Sequence, residues 1–229
     1  MADVLYSSTY LTTPLFNLDK WGFEASYECW RQESGFDKFW EETKKRSRLD
    51  RAINDCALRA IFDHLRELLA AEQYVRDNPQ PPTSDSFRWM NARREECESR
   101  LLSGYTELDG AASGNHLRGS ESIMLAACTC LAAICWIEVT FGFALPKKRD
   151  LLLSRLTTCI SNCGAVLSGK LKLWILFVGL LLEGSVRNSP SGNAYMMQAK
   201  EVQQEYCTTA EAVLEGFLYS KDQGAYGHN

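Results

Sequence analysis

Two uncharged runs constrain this chain more than anything else in it. Residues 123–137 are fifteen positions without a charged side chain, and residues 173–182 are ten. A helix needs about 20 apolar residues to cross a bilayer, and both runs stop short. Glu138 closes the first, and Lys172 and Glu183 bracket the second. No membrane span is expected. A helix that is apolar on every side must be enclosed by protein, so other helices have to wrap these two. The expectation is an all-α, single-domain helical bundle of about eight helices over residues 1–229, with 121–143 and 170–183 at its centre.

The rest of the chain supplies the wrapping. Residues 1–18 read as irregular, and aromatic spacing over 16–30 allows a helix. Phe36, Phe39 and Trp40 open an amphipathic helix, which runs on through Leu49, Ile53, Cys56, Ile61, Leu65 and Leu69 at i, i+3/i+4 spacing. It stops at Asn78-Pro79. Ser84 or Asp85 caps a helix to about Tyr105, and the Gly-, Ser- and Asn-rich stretch 106–119 reads as a mobile loop. Further helices are expected at 120–143, 147–167, 170–183, 194–206 and 210–219, the last after a capping box at Thr208-Thr209-Ala210-Glu211. The final eight residues are expected to fray. No strand-length alternation, heptad or internal repeat occurs.

Charge and cysteine usage exclude several functions. A net charge of −4 and a pI near 5.5 argue against direct binding of nucleic acid, whose affinity comes mainly from Lys and Arg. Nine cysteines, an odd count, lie mostly in apolar helical runs and include no CxxC pair. They read as reduced thiols of a cytoplasmic or nuclear protein. Cys159 and Cys163 stand one helical turn apart, but no His accompanies them, so no metal is expected. Glycine loops of the GxxxxGK[ST] or GxGxxG type, GxSxG and HExxH are all missing, and no cofactor is expected. The chain opens Met1-Ala2-Asp3-Val4 with no signal-peptide pattern, and reads as a natural start.

A few residues remain as candidates for chemistry. Glu138 follows Trp136-Ile137 and precedes Val139-Thr140-Phe141. A carboxyl among apolar neighbours can serve as general acid or base; the commoner arrangement pairs it with Lys or Arg. His64, with Glu67 one turn on, offers a base and an orienting carboxylate, against the plainer reading of a surface helix pair. Trp136, Phe141 and Trp174 are the aromatic side chains expected to wall a ligand pocket. Lys44-Lys45-Arg46-Ser47-Arg48 and Lys147-Lys148-Arg149 read as solvated basic faces, and Glu95-Glu96-Cys97-Glu98 as a solvated acidic one.

Over residues 83–219 of the 229, an ordered pattern appears. A helix with Arg93-Arg94, Glu98 and Leu101-Leu102 precedes ESIMLAACTCLAAICW. DLLLSRLTTCI, LKLWILFVGLLLEGSV and finally Tyr206 ahead of EAVLEGFLYS follow. This order resembles the regulatory domain of fungal-specific transcription factors, the helical region that follows a binuclear zinc cluster. The zinc cluster and its basic linker are missing here, and residues 1–80 do not match. The resemblance implies a stand-alone, non-DNA-binding helical module that takes a hydrophobic small molecule or a helical protein partner, with homodimerisation open. The other class in view is a cofactor-free cyclase or isomerase of fungal secondary metabolism built on the same fold, with Glu138 and His64 as its acid–base residues.

Overall fold

The computed structural model describes residues 30–31, 34–46, 48–53, 55–78, 84–113, 120–141, 146–163, 166–184 and 189–219. Among these, every regular element is a helix. In chain order they are α1 (Phe36–Arg46), α2 (Cys56–Asp77), α3 (Ser84–Ser113), α4 (Ser120–Phe141), α5 (Pro146–Cys163), α6 (Gly169–Glu183), α7 (Pro190–Tyr206) and α8 (Ala210–Leu214). The all-α single-domain bundle expected from the sequence is the fold.

The two uncharged runs form α4 and α6, and they pack against each other at the centre. α3 and α5 flank α4, while α5, α7 and α8 cover α6. Leu131, Ile134 and Trp136 of α4 and Leu173, Trp174 and Val178 of α6 have no exposed surface. Burial of one such side chain stabilises the fold by roughly 1.5–3 kcal/mol before conformational entropy is set against it. α4 is also long and apolar enough to cross a membrane by length and composition alone, over the 21 residues Glu121–Phe141 with hydropathy 2.0 in the most apolar window. Two thirds of that window, 67%, is buried inside the bundle.

A smaller aromatic cluster joins α1, α2 and α3. Trp30 stacks on Phe36 and Trp89 at centroid separations of 5.1 and 5.7 Å, and Trp40, Leu68 and Ala71 complete it. Gly35 (φ +77°) turns the chain into α1 in the left-handed region, where a side chain would be strained. The carbonyl before it, that of Ser34, accepts from the Tyr74 hydroxyl.

The structure corrects several sequence expectations. The long helix through 36–69 is two helices. Asp50 Oδ1 accepts from Ala52 N at 2.8 Å, and Asp55 Oδ1 accepts from Leu58 N at 2.9 Å as the N-cap of α2. Arg59 Nη1 donates to the carbonyls of Asp50 and Ile53 at 3.2 and 2.9 Å. These side-chain bonds to backbone compete with helical ones and hold the break. The basic run therefore sits at the end of α1, where cations favour the helix dipole, and not in mid-helix.

Helix α3 continues to Ser113, past the loop expected from Thr106, because Tyr105 and Leu108 still pack on the core. The acidic run on α3 is not a solvated face: Glu95, Cys97 and Glu98 are buried, and only Glu96 reaches outward to Arg93 and Arg100. α5 ends at Cys163, and Ser168, accepting from Leu171 N, caps an α6 that begins at Gly169. The last cap is Thr209, accepting from Ala212 N, on a helix of five residues. The irregular N-terminus, the helix expected over 16–30 apart from Trp30, and the fraying tail lie outside the described residues.

Candidate functional site

The expected acid–base and aromatic residues fall in three separate places. Glu138, on the last turn of α4, is 6% exposed and its Oε1 accepts from Lys148 Nζ on the first turn of α5. The pair is nearly closed to solvent, with 8% and 11% of the two side chains exposed. This is the ion-pair alternative read from the sequence. Beside it, Trp136 and Phe141 meet edge to face with centroids 5.6 Å apart. The Trp136 indole Nε1 is buried without a hydrogen-bond partner, and Arg94 Nη1 donates to the Phe141 carbonyl at 3.2 Å.

His64 stands elsewhere, on α2 facing α3. Burial, followed by the Arg93 cation, holds its pKa below the usual imidazole value, opposed by the carboxylates of Glu96 and Glu67. Its Nδ1 is buried and makes no hydrogen bond. Glu67 gives its carboxylate to Arg31 at 2.9 Å, so the base-and-orienting-carboxylate geometry is not assembled.

Trp174 is a packing residue at the centre of the bundle. Its ring stacks on Phe217 at 5.7 Å and meets Phe62 edge-on at 5.3 Å, and its Nε1 donates to the Leu218 carbonyl at 3.2 Å. That bond fastens the chain after α8 to α6.

Cys97, Cys128, Cys130, Cys135 and Cys163 are buried and serve packing, while Cys56 and Cys207 are exposed. Burial pushes the Cys97 and Cys130 thiols up to about 12, and such thiols are inert. Cys163 Sγ donates to the Met124 carbonyl at 3.3 Å, and a hydrogen bond from the Cys128 thiol shifts its pKa down. Among the described residues no three His, Cys, Asp or Glu side chains are placed to hold one metal ion.

A cleft forms where α5, α6 and α7 converge, and the sequence reading did not single it out. Pro146, Arg149, Asp150 and Leu153 line one wall; Leu182, Glu183 and Ser189 line the other, around a volume of about 360 Å³. The α5 residues follow i, i+3, i+4, i+7, so one helix face supplies them all. On α6, Gly179 lies one turn before Glu183. A Cβ there would stand 3.4 Å from Ser191 Oγ and 3.9 Å from Leu156 Cδ2. These are ordinary contact distances, so α5 and the start of α7 pack directly on this face, and the cleft lies one turn on, at Leu182 and Glu183.

The cleft brings opposite charges together without pairing them. Glu183 Oε1 accepts from Ser191 N and Oγ at 3.4 and 2.5 Å, whereas its Oε2 is buried with no partner. Arg149 Nε is likewise buried and unpartnered. A buried donor and a buried acceptor each lose free energy when left unmatched, and here both belong to side chains that line one opening. The run Lys147-Lys148-Arg149 is not the solvated face expected: Lys147 is exposed, whereas Lys148 turns to Glu138 and Arg149 to the cleft, an outcome set by the packing of α5.

Compared with protein-family models, curated proteins and solved structures, the chain matches none.

Proposed function

We propose that this protein is a helical regulatory module that binds a small molecule in the cleft between α5, α6 and α7. The observation that carries the reading is that Arg149 and Glu183, each with a buried polar atom lacking a hydrogen-bond partner (Nε and Oε2), both line one opening of ligand size. The resemblance of 83–219 to the regulatory domain of fungal transcription factors supports it, as does the acidic pI near 5.5 for a module that does not touch DNA. Free thiols at the described cysteines suit the cytoplasm or nucleus.

A thermal-shift screen with a diverse panel of small organic molecules tests the reading. Hits should raise the melting temperature of the wild type and lose that effect in Arg149→Met. Hits that stabilise both proteins equally would place the ligand elsewhere and refute the cleft. Binding to duplex DNA should stay weaker than about micromolar at physiological salt; submicromolar, sequence-selective binding in a mobility shift would contradict the non-DNA-binding part. The cyclase or isomerase reading requires Glu138 to act while bound to Lys148, and it predicts that a folded Glu138→Gln variant loses on the order of 10²-fold in rate.

A further inference from the structure

The cleft's own chemistry selects among small molecules, and the inference drawn from it rests on the reading just given. Its ionisable lining is one guanidinium, Arg149, and two carboxylates, Asp150 and Glu183. Among the described residues no carboxylate lies within ion-pair distance of Arg149. Arg149 therefore lines the cleft with a positive charge that no carboxylate offsets, on a planar guanidinium that suits a carboxylate. Glu183 is held through Oε1 by Ser191, and its Oε2 has no hydrogen-bond partner. Pro146, Leu153 and Leu182 give the remaining walls an apolar character.

We infer that the ligand is a small zwitterion, an amine-bearing carboxylic acid with an apolar flank. Its carboxylate bonds to Arg149, its ammonium bonds to Glu183, and its hydrocarbon part lies against Leu153 and Leu182. An anion alone would satisfy Arg149 and leave Glu183 and Asp150 facing a second negative charge. A simple amine would satisfy Glu183 and leave the Arg149 donor buried and unmatched. A molecule with both groups matches both side chains, in hydrogen bonding and in charge. The excess of one carboxylate in the lining further favours ligands that bring a full ammonium over a neutral hydroxyl.

NMR titration of the full chain, watching the Arg149 Nε–H resonance, tests this with four probes: leucine, methionine, phenylalanine and lysine. The two single-charge analogues of leucine, 4-methylpentanoate and 3-methylbutan-1-amine, serve as controls. The expected result is saturable binding of at least one amino acid. Its single-charge analogues should bind about tenfold more weakly or worse. Arg149→Met and Glu183→Gln should each weaken the amino acid by a similar factor. Arg149→Lys keeps the charge in place, so it should fold even where Arg149→Met does not, and it should still bind more weakly than wild type.

Analogues that bind as tightly as the amino acid would overturn the inference, as would binding unchanged in the variants or no binding below about 10 mM. If other small molecules fill the cleft while these four do not, the zwitterion is wrong and the small-molecule site stands. If nothing perturbs the Arg149 signal, both fall together.

Discussion

At Glu138 the choice between chemistry and architecture turns on a single neighbour, Lys148. The carboxylate and the ammonium are each buried, and removing one leaves the other uncompensated. Glu138→Gln should therefore destabilise the fold by about 3 kcal/mol, read from urea denaturation, and a Glu138→Gln/Lys148→Met double variant should recover most of it. A single variant as stable as wild type would mean the pair contributes nothing. His64 makes a second residue-scale prediction. Its folded-state pKa lies below the unfolded value near 6.5, so the unfolded chain binds more protons as pH falls. Its contribution is present above pH about 6.5 and is lost on acidification through and below that value. His64→Gln should flatten the stability profile below about pH 6.5; an unchanged slope would show that other groups set it. Neither partner of Glu138 nor the surroundings of His64 could be read along the chain, because both come from a neighbouring helix.

Helix existence was readable where periodicity or unbroken apolarity was strong, as in α2, α4 and α6. Helix ends were less so. The hydrophobic spacing from Phe36 to Leu69 carries straight across residues 48–55, and the side chains of Asp50, Asp55 and Arg59, each bonding nearby backbone, interrupt it. Two aspartates in an otherwise helical pattern are a weak signal, since a surface helix tolerates them. Asp55→Ala removes the N-cap of α2 and should lower stability by about 1 kcal/mol, measured by chemical denaturation, with Asp55→Ser largely restoring it. Equal stability of wild type and Asp55→Ala would mean that the break is held by Arg59 and its two carbonyl bonds instead. The acidic run on α3 was misread for a similar reason: charge predicts exposure until a facing helix buries it.

For the whole molecule, the two uncharged runs were enough to predict a bundle closed around α4 and α6, and that is how the chain is built. The cleft was not predictable, because its lining comes from α5, the end of α6 and the N-cap of α7, which are brought together only by packing, and its polar residues looked like ordinary surface charges. The central claim is that this cleft is a ligand site, and selective methyl NMR tests it most directly. With leucine methyl groups labelled, a small molecule that stabilises the protein should shift the resonances of Leu153 and Leu182, which line the opening. The resonance of Leu131, fully buried in α4, should stay in place. Shifts confined to leucines outside the cleft, with Leu153 and Leu182 unmoved at saturation, would contradict the account.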